Sequence, residues 1–205
     1  MYNAYNGVRP AHSRTLKGCT TVRPHPERLV ERLPVIRGDR GVVLRSSTPD
    51  DVDALARWFG DRVFVRWWGG VPIARKHVQR DFIGSYRSGA ESIHAFIIEC
   101  DGTAIGFAQA WKDDADRDGG IDIVLVPEMH GQGIGPAAIR ALACYLVQTL
   151  GWARVTADPS PANRRSIRAF EKAGFVVERR APDPTDAGLL MVFCDPPFDP
   201  SADTV

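Results

Sequence analysis

The sequence predicts one α/β (α+β) domain built on a mixed sheet with helices on its faces. Three observations carry that prediction. The hydrophobic period alternates between two and about 3.6 residues from position 42 onward, as strands and helices require. Residues 93–100 and 103–111 read as two strands joined by Asp101-Gly102, a pair suited to a tight hairpin turn. Residues 121–126 form an apolar strand that enters a glycine-rich turn and then a helix with an apolar stripe.

Taken in order, the first core element is a strand at Val42–Ser46. Thr48-Pro49-Asp50-Asp51 then signals a helix start, running to about Gly60. A second helical stretch spans residues 75–87, followed by the hairpin and the strand 121–126. The next helix carries Ile139, Leu142, Ala143, Leu146, Val147 and Leu150 on one face. Arg154–Ala157 is a short strand, and Ser160 with Pro161 supplies an N-cap and first-turn proline for a helix ending near Gly174. Phe175–Arg180 and residues 189–194 close the sheet, giving β-α-α-β-β-β-α-β-α-β-β with no internal repeat.

The chain has 205 residues, of which 44% are hydrophobic and 25% charged, with a formal net charge of +1. That composition is globular, and no apolar run reaches the length of a membrane span. A near-neutral balance gives no general reason to expect nucleic acid or a membrane as partner. Cys19, Cys100, Cys144 and Cys194 lie far apart without a CxxC pair, so neither a metal cluster nor a disulfide framework is expected. No secretory signal is seen, and a cytoplasmic monomer or homodimer is the expectation. Residues 1–40 hold eight Lys/Arg against three Asp/Glu and few large apolar residues, so they are expected to lie outside the core. They could bind an anion, or simply be a loosely ordered extension. Residues 41–194 form the domain, and 195–205 read as a tail.

His130-Gly131-Gln132-Gly133-Ile134-Gly135 links a strand to a helix, where unpaired N–H groups and the helix dipole favour an anion. Pro136-Ala137 follows where a P-loop needs Lys-Ser/Thr, and Pro136 also stands where the dinucleotide fingerprint needs its third glycine. Both nucleotide motifs are therefore disfavoured. One helix later come Asn163 and Ser166-Ile167-Arg168-Ala169-Phe170-Glu171-Lys172-Ala173-Gly174-Phe175.

This pair of motifs resembles the GNAT superfamily of acyl-CoA-dependent N-acetyltransferases, with Q/R-x-x-G-x-G/A followed by N-x-x-(A/S)-x-x-x-(Y/F)-E-K-x-G-F. The resemblance spans roughly residues 42–194 and implies a mostly antiparallel central sheet with helices on both faces. It implies acetyl-CoA as co-substrate, with no metal. Gln132, Gly133, Ile134, Gly135 and Pro136 would border the pyrophosphate, Val124, Leu125 and Val126 the acyl end, and Asn163 the pantetheine arm. Phe170 stands where the family often has a tyrosine acting as general acid, and His130 replaces the family's Gln or Arg.

Within the superfamily, Trp67-Trp68-Gly69-Gly70, Gly120-Ile121-Asp122 and Asp158-Pro159-Ser160-Pro161-Ala162-Asn163 are together similar to the aminoglycoside 6'-N-acetyltransferases. The chemistry agrees, since a polyamine on sugar rings calls for carboxylates and aromatic faces. Residues 111–122 carry five aspartates against Lys112 and Arg117, either an acidic wall for a cation or a solvated loop. Trp67 and Trp68 could be core aromatics, or one could line a pocket, because adjacent residues rarely both point inward. Asp122 interrupts an apolar strand, where an unpartnered carboxylate is costly, and is the candidate catalytic base. Asp158 is the candidate second amine anchor or a capping residue. A peptide N-terminus, a polyamine or another metabolite amine stays open as acceptor, as does a non-catalytic binding module.

Overall fold

The computed structural model describes residues 27–28, 33–88, 91–113, 118–180 and 189–194. Ten strands and four helices are described: β1 (Glu27–Arg28), β2 (Ile36–Arg37), β3 (Val42–Ser46), α1 (Val52–Gly60), α2 (Arg75–Asp81), β4 (Ser85–Ser88), β5 (Glu91–Cys100), β6 (Thr103–Asp113), β7 (Asp118–Leu125), α3 (Ile134–Gln148), β8 (Arg154–Ala157), α4 (Arg164–Ala173), β9 (Phe175–Arg180) and β10 (Leu189–Phe193). The sheet runs β1-β4-β5-β6-β7-β8-β10-β9, and β3 pairs with the far end of β5 and carries β2. Among the described residues only β7 and β8 pair in parallel. The mixed, mostly antiparallel sheet expected from the sequence is present.

Helices cover both faces. On one side α3 and α4 bury Ile139, Leu142, Leu146 and Phe170 against Phe96, Ile121 and Val155. On the other, α1 and α2 bury Leu55, Phe59 and Val78 against Ile97 and Phe107. The hairpin turn sits where the sequence puts it, with Asp101 and Gly102 both at positive φ. α1 follows a 3-10 turn at Pro49–Asp51, where Asp51 accepts the Thr48 N–H at 2.7 Å and pairs through both oxygens with Arg45 at 2.8 Å.

Four expectations are corrected. The helix read over residues 75–87 stops at Asp81, because Gly84 turns the chain at φ 64° and residues from Ser85 onward pair with β5. Buried Ser47 locks that turn, its Oγ donating to the Phe82 carbonyl and accepting the Gly84 N–H. The cap of α4 is Asn163, whose Oδ1 accepts the Ser166 N–H at 3.2 Å, while Ser160 forms the preceding turn. β7 begins three residues early, because Gly119 and Gly120 make room for tryptophans: a Cβ on Gly119 would meet Trp152 and one on Gly120 would meet Trp111. Finally, the core begins before residue 41. Leu33 and Ile36 are buried, and β2 pairs with β3, although the basic composition of this stretch reads as a solvated arm. Residues 1–26 and 29–32, the acidic stretch 114–117 and the tail 195–205 lie outside the described residues.

Candidate active site

The glycine-rich turn connects β7 to α3 as the spacing requires. Gly131 and Gly133 both adopt φ 79°, a conformation that disfavours any side chain. The main-chain N–H groups of Gln132, Gly133, Ile134 and Gly135 have no acceptor among the described residues. They lie at the start of a fifteen-residue helix, where the dipole adds to the attraction for an anion. Pro136, third in the helix, has no N–H to leave unsatisfied. A Cβ on Gly135 would lie 3.7 Å from Leu125 Cδ1 and 4.0 Å from Ala169 Cβ, so the protein itself leaves room there. Gly135 thus keeps open a surface between β7 and α4.

The strand below this turn is half unpaired. β7 pairs with β6 in regular register along its length, from Lys112↔Gly119 to Gly106↔Leu125, but with β8 only as far as Gly120↔Thr156. Val126 donates its N–H to Ile105 at 2.9 Å, so strand alternation turns the main chain of Val124 and Asp122 toward β6. The main chains of Ile123 and Leu125 face the opposite, unpaired edge. That edge, with the cradle at its end, is shaped for an extended ligand carrying an anionic head and amide-like hydrogen-bonding groups. Of the three residues expected at the acyl end, Leu125 therefore presents its N–H to the gap, whereas Val124 and Val126 turn theirs toward β6.

Asp122 projects on the α1 side of the sheet, where Gln109, its direct cross-strand partner, donates from Nε2 to Asp122 Oδ2 at 2.8 Å. Gln109 is buried, and Asp122 is half-buried. Asp122 and Asp158 each lie two residues past the last β7–β8 pair, Asp158 half-buried just beyond β8. Trp111 lies over Gly120 on the same face as Asp122. The adjacent tryptophans divide as alternation suggests. Trp68 packs edge-on against Phe59 at 5.4 Å and Phe107 at 5.7 Å, its indole N–H buried without a partner among the described residues, while Trp67 is 49% exposed beneath Arg66.

Other residues singled out from sequence sit differently. Phe170 is buried edge-on to Phe175 at 5.0 Å, a core position with no hydroxyl. Asn163 Oδ1 is committed to capping α4. Sequence reasoning passed over Gln109 and Trp111, although a glutamine inside an apolar strand also needs a hydrogen-bond partner when buried. It also missed the bridge at His130. There Nε2–H donates to the Leu125 carbonyl at 3.1 Å, which leaves Nδ1 bare to accept from Arg165 on α4. Burial, then the Arg165 charge, hold the His130 pKa below its ordinary value. Among the described residues no group of His, Cys, Asp or Glu could hold a metal, and no helix is long and apolar enough to cross a membrane.

Comparison with known proteins agrees with this geometry. Residues 42–176 match the acetyltransferase (GNAT) domain family. Aminoglycoside N(6')-acetyltransferase type 1 of Klebsiella pneumoniae is 31% identical over 172 residues, covering 77% of this chain and 85% of that protein. Among solved structures, AAC(6')-Ib in complex with ribostamycin and coenzyme A superposes with a TM-score of 0.66 at 28% identity, covering 80% of this chain and 99% of the other. The same enzyme with coenzyme A and kanamycin gives 0.64 at 28% identity, covering 75% and 95%. With a family match over residues 42–176 and a relative 31% identical across most of its length, the chain belongs to the GNAT acetyltransferase family.

Proposed function

We propose that the chain transfers the acetyl group of acetyl-CoA to a primary amine of an aminoglycoside, the 6'-amine foremost, by direct attack in a ternary complex. The observation that carries this reading is the placement of Asp122: fixed by Gln109, two residues past the last β7–β8 pair as Asp158 is, and on the strand whose free edge leads to the cradle. The aminoglycoside complexes among its relatives support it.

The Gln132–Gly135 N–H groups would hold the pyrophosphate, and the free edge of β7 would align the pantetheine arm. The residues present fit acetyl-CoA, which supplies the activated acyl carbon as a thioester. Asp122, directly or through a water, takes the proton of the substrate ammonium and leaves a neutral nitrogen. The N–C bond then forms as the C–S bond breaks. The Leu125 N–H donates to the carbonyl oxygen as negative charge grows there. Asp158 holds a second ammonium group, and Trp111 and Trp67 offer ring faces to the sugars.

The thiolate must leave without a tyrosine, since Phe170 has no hydroxyl. Tyr145, 9% exposed, is packed into the same core cluster as Phe170. The coenzyme therefore leaves as a thiolate, which its modest basicity permits, and takes up through water the second proton, given off by the acylated nitrogen. Release of free thiol on mixing the protein, acetyl-CoA and kanamycin or tobramycin tests the reading. Turnover with both drugs and none with spermidine or a peptide N-terminus is expected. The reverse selectivity would overturn the acceptor assignment, and no thiol release with any amine would overturn catalysis.

A further inference from the structure

The β2–β3 hairpin, whose first strand and tip fall in the stretch read from sequence as a basic arm, is docked on the coenzyme side of α3. A Cβ on Gly38 would stand 3.0 Å from Ala141 Cβ and 3.2 Å from the Ala137 carbonyl, so the hairpin lies flush against the first turns of that helix. Its turn is closed by Gly38 N–H to Val42 O at 2.9 Å and Val42 N–H to Asp39 O at 3.2 Å. At the tip, Arg40 holds φ 59°, a left-handed conformation rare for a long side chain. Its carbonyl accepts from the Cys100 thiol at 3.5 Å. This geometry delivers the guanidinium to the cradle: a Cβ on Gly133 would be 3.0 Å from Arg40 Nε and 3.2 Å from its Cζ.

Arg40 is exposed and makes no ion pair among the described residues, so its charge is not spent within the fold. A planar fork of donors beside five-residue glycine geometry and unpaired N–H groups matches the oxygens of a diphosphate. We propose that Arg40 is a coenzyme-binding residue that pairs with the pyrophosphate of acetyl-CoA. The hairpin is then a third wall of the coenzyme site, and Arg40 at its tip stands just before the segment that matches the family, which begins at residue 42. The inference rests on the coenzyme reading of the glycine turn.

Calorimetry on the full chain separates the two. Binding of coenzyme A to the unaltered protein tests the turn itself, and no binding would remove both readings. Arg40→Ala and Arg40→Gly are expected to raise the Kd for acetyl-CoA and for 3'-dephospho-acetyl-CoA about tenfold alike. The KM for S-acetylpantetheine, which lacks the pyrophosphate, should stay unchanged. Glycine accepts the positive φ, so Arg40→Gly should keep a Tm equal to or above that of the parent while losing affinity. Normal acetyl-CoA affinity in both variants would overturn the proposal, as would an effect that disappears with the 3'-dephospho analogue. Equal loss with S-acetylpantetheine would also overturn it, by assigning Arg40 a purely structural role.

Discussion

Asp122 and Gln109 illustrate how much a single residue discloses before the fold is known. A carboxylate inside Ile121-Asp122-Ile123-Val124-Leu125 is out of place in a buried strand, and the structure supplies the missing partner across the ladder. The partner was equally visible as Gln109 between Ala108 and Ala110, but pairing register is needed to connect them. Arg40 was less legible still, because its approach to Gly133 depends on how a hairpin docks against α3. Replacing Asp122 by Asn keeps the shape and the Gln109 contact through the remaining carbonyl oxygen, while removing the base. A fall in kcat/KM with kanamycin of about a hundredfold or more is expected, the usual scale of lost acid-base catalysis. Unchanged coenzyme affinity should accompany it, and an unaltered rate would remove Asp122 from the mechanism.

At the scale of elements, the long periodic segments were readable and most of the short ones were not. α3, β9 and the β5–β6 hairpin follow from period and turn chemistry, and four-residue β8 was read as well. β2 and β4 have two and four residues, too few for a period, and exist because neighbouring strand edges are available to pair them. The glycine turn combines both kinds of information. Its residue types announced a backbone at positive φ, and the structure adds that only Gly131 and Gly133 need it. Gly135 lies in the helix, with ordinary space for a Cβ, so the empty fold does not demand glycine there. A substitution at this position should therefore leave the fold intact and act on the ligand. Gly135→Asp places a carboxylate among the N–H groups that attract phosphate, and acetyl-CoA binding should be lost in calorimetry with Tm nearly unchanged. Retained binding would show that the diphosphate lies elsewhere.

The molecule as a whole is held together around the coenzyme gap by contacts that bridge it, and His130 is one that responds to pH. It joins the glycine turn to the β7 edge through Leu125 and to α4 through Arg165, with its proton on Nε2. Protonating Nδ1 would set an N–H and a second positive charge against the guanidinium. Burial and that charge lower the folded-state pKa, whereas the unfolded chain keeps an ordinary histidine value near about 6.5. Between the two values the unfolded state binds more protons, so stability rises with pH through this window. The contribution is fully present above about pH 6.5 and is lost as pH falls through the lower folded value. His130→Gln retains a side-chain N–H for the Leu125 carbonyl but cannot take up a proton. Melting curves at intervals from pH 5 to 7.5 should show the parent losing Tm on acidification faster than the variant, with the difference confined to the region below the ordinary histidine pKa. Parallel curves would mean that the bridge between turn and helix contributes no pH dependence to the fold.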